Sequence, residues 1–171
     1  RVGANFDRVV EMMRARLGAN PVPIQLPIGS EDGFRGIVDV IERRAVYWDD
    51  DTLGSAYHVA DVPPELESAT DAARERVVEA AADADETVMA RYLEGTQIPA
   101  DELRKALREA TVQMRAVPVL CGSAFKNKGV QTLLDAVVDY LPSPLDVPPV
   151  EGTDLKTEKP ATRKADDAAP F

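Results

Sequence analysis

Apolar residues near the start of the chain fall on helical spacings. Phe6, Val9, Val10, Met13 and Leu17 recur at intervals of three and four, which predicts a helix over residues 5–17. Gly18 stands where a C-terminal cap belongs, and Pro21 cannot continue the helix. From Val22 to Ile28 apolar residues alternate with polar residues and proline, the pattern of a short or edge strand. Gly29 to Gly33 is a turn cluster. The β-branched and aromatic runs Ile37–Ile41 and Ala45–Trp48 then predict two antiparallel strands, followed by a solvated loop from Asp49 to Gly54. Pro63 and Pro64 open a long alanine- and glutamate-rich helical tract to about Leu93, with one break expected near Asp83 to Asp85. A further helix is predicted from Pro99 to about Met114, carrying Leu103, Ala106, Leu107 and Ala110.

Val117–Leu120 returns to strand character, and a Gly-Ser-Ala turn follows. A helix over about 130–141 is marked by the stripe Val130, Leu133, Leu134, Val137, Val138 and Leu141. This strand, turn and helix form the clearest α/β signal in the chain. Beyond it, Pro142, Pro144, Pro148, Pro149 and Pro160 lie in polar sequence, which reads as a linker with little structure of its own. The first helix and the last strand–helix unit belong to one α/β layer in this reading. Residues 20 to 114 form a mixed insertion between them. No internal repeat is present.

Charge narrows the chemistry. The net charge of -10 over 171 residues gives no general attraction to a phosphate backbone, although it suits an acidic face to a basic protein patch. The single cysteine, Cys121, excludes an intrachain disulfide and suggests a reducing compartment. No apolar run reaches membrane-spanning length. The chain opens Arg1-Val2-Gly3 without methionine and closes Ala168-Ala169-Pro170-Phe171 after a polar stretch, so both ends are expected to be cuts through a longer protein.

Residue constellations for catalysis are sparse. No Gly-rich loop is followed by Lys-Ser/Thr, so a nucleoside triphosphate has no nest of N–H groups with a lysine. No histidine pair or Cys-x-x-Cys offers a zinc site. Asp49-Asp50-Asp51 lacks the spaced ligands of a calcium loop and reads as a solvated face. His58, the only histidine, has no nucleophile near it in sequence, so a structural or surface role is expected. Ser123 and Lys126 match Ser-x-x-Lys, but the Ser-Asp-Asn and Lys-Thr-Gly partners of that chemistry do not occur. Cys121 follows an apolar strand and reads as a small core residue.

The stretch Cys121-Gly122-Ser123-Ala124-Phe125-Lys126-Asn127-Lys128-Gly129-Val130-Gln131, continued from Leu133 to Pro144, resembles elongation factor G. The blocks Arg1–Phe6 and Leu17–Gly29, and Gly36-Ile37-Val38-Asp39, are similar too; the match is weakest over about 49–115. The resemblance implies an α/β fold: the C-terminal part of a P-loop GTPase domain with an inserted mixed α+β subdomain. It implies that residues 1–19 carry a core helix and 20–114 the insert. Residues 115–145 would carry the core strand, guanine-recognition turn and helix, and 146–171 a proline-rich linker toward a second domain, with Asp166–Phe171 as the approach to it.

In that family Ser123-Ala124 would be the last guanine-recognition motif, with Phe125 and Lys126 bordering the base. The Ala124 N–H would donate to the guanine carbonyl oxygen, where adenine presents a donor instead. The phosphate loop, the switch segments and the catalytic histidine would all lie upstream of Arg1, as would an Asn-Lys-x-Asp motif. The segment is therefore expected to hold no catalytic residue, no metal ligand and no GTPase activity of its own. GTP or GDP with Mg²⁺ would belong to the intact protein, a cytoplasmic GTPase that moves tRNA and mRNA on the ribosome. The insert would face the ribosomal stalk protein. Two alternatives remain open at this point: another translational GTPase of the ribosomal-protection or release-factor type, and an acidic protein-interaction module without a nucleotide role.

Overall fold

The fold is taken from a computed structural model, which describes residues 2–155 and 157–166. Asp167–Phe171, most of the expected approach to a further domain, lie outside the described residues, as does Arg1. The chain divides into two units, Arg1–Tyr140 and Leu141–Phe171.

Asn5 begins the first unit by capping α1 (Phe6–Leu17), its side chain accepting the Arg8 N–H at 2.8 Å. Asp7 in the first turn and Arg14 and Arg16 in the last complement the helix dipole, and Gly18 closes the helix in the left-handed region. The sequence then makes two strands where one was expected. β1 (Pro21–Pro23) leaves Ile24 as a pivot before β2 (Gln25–Ile28). The Ile24 N–H donates to Val119 O and its carbonyl accepts from the Val40 N–H, both at 3.0 Å, so one residue serves two sheets.

β2, β3 (Gly36–Asp39), β4 (Arg44–Trp48) and β5 (Tyr57–Ala60) form an antiparallel meander in that order. The β3–β4 pair is the one the sequence predicted, with Ile37 opposite Val46 and Val38 opposite Ala45. Asp39 fixes the turn between them by accepting the N–H groups of Ile41 and Glu42 at 3.0 Å. β5 is a strand to which the sequence pattern assigned no element: four residues are too few to show a period, and all four are exposed at the sheet edge.

The long helical tract breaks where expected, into α2 (Pro64–Ala82) and α3 (Glu86–Leu93). Asp85 caps α3 by accepting the Thr87 and Val88 N–H groups at 2.7 and 3.1 Å. α4 (Ala100–Val112) buries the predicted face of Leu103, Ala106, Leu107 and Ala110. These residues pack with Val77, Val88, Val40 and Ile41 in the main core. Full burial of Leu103 or Leu107 is worth roughly 1.5–3 kcal/mol each.

β6 (Val117–Val119) pairs parallel with β1, joining Pro21 to Val117 and Pro23 to Val119. Strand pairing therefore crosses the boundary drawn at residue 20. α5 (Val130–Tyr140) follows, with Ala136 and Tyr140 buried. Its expected apolar stripe is present, but among the described residues nothing covers it: Leu134 is 60% and Val138 75% exposed. Arg108 of α4 holds the end of α5 by donating to Val138 O and Asp139 O at 3.0 and 2.9 Å.

The second unit corrects the expectation of an unstructured linker. β7 (Val150–Thr153) pairs antiparallel with β8 (Pro160–Arg163), Val150 opposite Arg163. Asp154 builds the turn, its side chain accepting the Thr157 N–H at 2.9 Å. The proline-rich composition hid a hairpin whose only sequence cues are Val150, Thr153 and Thr162.

Candidate functional site

Every residue singled out for guanine recognition lies in the short connection between β6 and α5. Ser123 and Lys128 face each other as an antiparallel bridge: the Ser123 N–H donates to Lys128 O at 2.8 Å, and the Lys128 N–H to Ser123 O at 3.0 Å. Between them Ala124–Lys126 make one 3₁₀ turn, ended by Asn127 in the left-handed region. Gly122 permits the closure, since a Cβ there would lie 2.7 Å from the Lys128 carbonyl oxygen.

The antiparallel sheet and the loop before β5 pin this turn from outside. Asn127 Nδ2 donates to Leu53 O at 3.1 Å, and Gln131 Nε2 to Gly54 O at 2.9 Å. Trp48 Nε1 in turn donates to Gln131 Oε1 at 3.1 Å. Gln25, buried in β2, accepts the Cys121 N–H through Oε1 at 3.3 Å. A turn fixed from several sides presents its remaining backbone groups with little freedom, which is what selective recognition of a flat ligand requires.

Among the described residues the exposed Ala124 N–H has no protein acceptor, and the same is true of the Gly122 and Phe125 N–H groups on either side of the Ser123–Ala124 step. Ser123 beside it lines a cavity of about 240 Å³ together with Ala4, Asn5, Phe6, Glu31 and Phe34. The cavity joins the start of α1, the turn after β2 and the β6–α5 connection, three places far apart in sequence.

The four expected site residues are thus not equivalent. Ser123 lines the cavity and Ala124 offers a free donor. Phe125 is 98% exposed and does not line the cavity. Lys126 turns to the loop after β2, its Nζ donating to Asp32 O at 3.3 Å. That contact draws the amine to a backbone oxygen, and a Ser–Lys catalytic pair with Ser123 gains no support. Sequence reasoning missed Glu31 and the Ala4–Phe6 wall; the only cue was that Arg1–Phe6 belonged to the same resemblance.

Other candidates resolve into structure. Burial pushes the Cys121 thiol up to about 12, so it is no nucleophile at neutral pH. His58 stacks on Tyr47 with ring centroids 5.5 Å apart and its Nδ1 lies 3.5 Å from Asp49 Oδ1, a surface arrangement on β5. Among the described residues no three His, Cys, Asp or Glu side chains gather as a metal-ligand set, and no helix is long and apolar enough to cross a membrane.

A family model described as the elongation factor Tu GTP-binding domain matches residues 1–143. The chain belongs to that family. It carries the α/β fold of a GTP-binding domain of the translational GTPases, a domain type often associated with GTPase activity in the intact protein. A crystal structure of a protein from Thermus thermophilus is similar at a TM-score of 0.72 and 30% identity. The similarity covers 86% of this chain and 22% of that one, so the chain spans about a fifth of the length of this relative.

Proposed function

We propose that this chain is part of a translocation GTPase of the elongation factor G type and supplies the guanine-recognition edge of its nucleotide site. The observation that carries the reading is the solvent-facing Ala124 N–H, which has no protein acceptor, next to Ser123 in the cavity wall. The residues present fit one edge of a guanine base: a donor, small side chains, and a rigid turn. They do not fit phosphate or Mg²⁺, which other parts of the intact protein hold when GTP is bound. In this reading residues 1–19 and 115–145 belong to the GTP-binding core, 20–114 to the insert, and 146–171 lead toward a second domain. The exposed apolar stripes of α1 and α5 are consistent with further core elements covering them.

The insert faces the ribosomal stalk protein in this reading. Its α2 carries Glu65, Glu67, Glu75 and Glu79 on exposed positions, a surface suited to a basic partner whose approach is steered by charge. Transfer RNA and messenger RNA are moved by the intact cytoplasmic protein and do not touch this surface.

Ala124→Pro in the intact protein tests the guanine edge. Ser123 is extended (φ −131°, ψ 96°) and Ala124 opens the 3₁₀ turn, so proline fits the backbone and deletes only the donor. GDP affinity is expected to fall roughly tenfold or more, while ADP affinity stays unchanged. Equal GDP affinity in the variant and the wild type would refute the assignment.

A further inference from the structure

The turn after β2 is bonded to both chain segments that supply the facing walls of the cavity, in each case at a residue just outside the lining. On one side Glu31 Oε1 accepts the Gly3 N–H at 2.6 Å, and the Gly3 carbonyl accepts from Arg8 Nη2 at 3.1 Å. On the other side the Asp32 carbonyl accepts from Lys126 Nζ at 3.3 Å. Glu31, Phe34 and Ser30 line the same cavity as Ala4, Asn5 and Ser123. A single 3₁₀ turn, Glu31–Gly33, therefore spaces the segment before α1 against the β6–α5 connection.

Glu31 also holds a backbone conformation that favours glycine. Its φ is 51°, in the left-handed region where a side chain is disfavoured. Residues held in such conformations cluster at ligand sites, where the surrounding structure keeps the strain in place. Glycine would occupy the position with less strain. The carboxylate that glycine lacks is the group that reaches Gly3, and a charged acceptor makes a stronger hydrogen bond than a neutral one.

We propose that Glu31 is a positioning residue for the guanine nucleotide. Through Gly3 it fixes the Ala4–Phe6 wall at the distance from Ser123-Ala124 that the bound base needs, and so slows nucleotide release. The proposal rests on the reading of Ala124 as the guanine edge. It adds that the turn leading into the antiparallel sheet, and not only the β6–α5 connection, sets how long the nucleotide stays.

The test is the release rate of a fluorescent GDP from the intact protein, measured together with its melting temperature. Glu31→Gly relieves the left-handed strain and removes the acceptor, so the melting temperature is expected to hold or rise. Release should quicken roughly threefold to tenfold. Glu31→Gln keeps an acceptor for the Gly3 N–H and is expected to release GDP within about twofold of the wild-type rate. Wild-type release from the glycine variant, or glutamine and glycine variants that are equally fast, would overturn the positioning role. Faster release accompanied by a lower melting temperature would assign Glu31 to folding and overturn it as well. A wild-type protein that holds GDP no better than ADP would remove the guanine reading itself, whereas wild-type selectivity with unchanged glycine-variant release would remove only the role of Glu31.

Discussion

Replacing Arg74 by methionine is expected to lower the unfolding free energy by about 3 kcal/mol. Arg74 rises from α2 and spreads its guanidinium over three backbone carbonyls from two other segments. It donates through Nη1 to Val40 O at 3.3 Å and to Ile41 O, and through Nη2 to Ile98 O at 3.1 Å. The group thereby ties the turn after β3 and the segment before α4 to the middle of α2. Burial and the neighbouring Arg43 lower its pKa, yet a guanidinium stays charged throughout the useful range. Methionine keeps the apolar stem and leaves the carbonyls without their donor. Part of that loss is recovered where water reaches the site, which holds the expected cost below the sum of three charged hydrogen bonds. For a chain of this size the melting temperature should drop by roughly 6–12 °C. Lysine, with one point donor in place of a planar fork, is expected to recover only part of it. A calorimetric loss below about 0.5 kcal/mol would show that the carbonyls are satisfied by water alone.

Arg74 also marks what the sequence could and could not reveal. The helices were legible because Leu103, Ala106, Leu107 and Ala110 repeat at helical spacing and Asp85 sits where a cap is needed. β3 and β4 were legible from two β-branched runs around a polar turn. The three carbonyls under Arg74 were not, because a long-range side-chain contact has no period. The same holds for β1, whose three residues become a strand only through pairing with β6 nearly a hundred positions away. β5 and the β7–β8 hairpin were too short and too exposed to leave a pattern. In the site, Ser123 and Ala124 came from the resemblance, since a Ser-Ala turn is ordinary in itself. Phe125 and Lys126 shared their prominence through adjacency alone, and the structure separates them: one ring lies in solvent and one amine is held on Asp32. Glu31 gave no cue because its role depends on a positive φ and on a chain segment 28 residues away.

Gly29→Ala is the second change of large expected effect, and it joins stability to the site. Gly29 follows β2 with φ of 81°, and a Cβ built there would lie 2.1 Å from the Gly33 carbonyl oxygen and 2.9 Å from its carbon. Both atoms are backbone, so no side chain can swing aside. The turn must open, which breaks the Arg35 N–H bond to Ile28 O at 2.9 Å and displaces the stretch that carries Glu31 and Phe34. The combined cost of the left-handed alanine and the forced displacement is about 3 kcal/mol. Because Gly29, Ser30 and Glu31 all line the cavity with Ser123, nucleotide release should quicken alongside the loss of stability. Arg74→Met serves as the control, since Arg74 does not line that cavity: it should destabilise comparably while leaving release unchanged. If both variants release GDP at the wild-type rate, the turn after β2 has no part in the site.

The guanine edge itself is tested most directly by the ¹H–¹⁵N resonance of the Ala124 amide in the intact protein, recorded with GDP and with ADP. A new hydrogen bond from this N–H to the guanine carbonyl predicts a downfield shift of that one amide proton on adding GDP and none on adding ADP. An Ala124 amide that GDP leaves unmoved, or that both nucleotides move alike, would contradict the account.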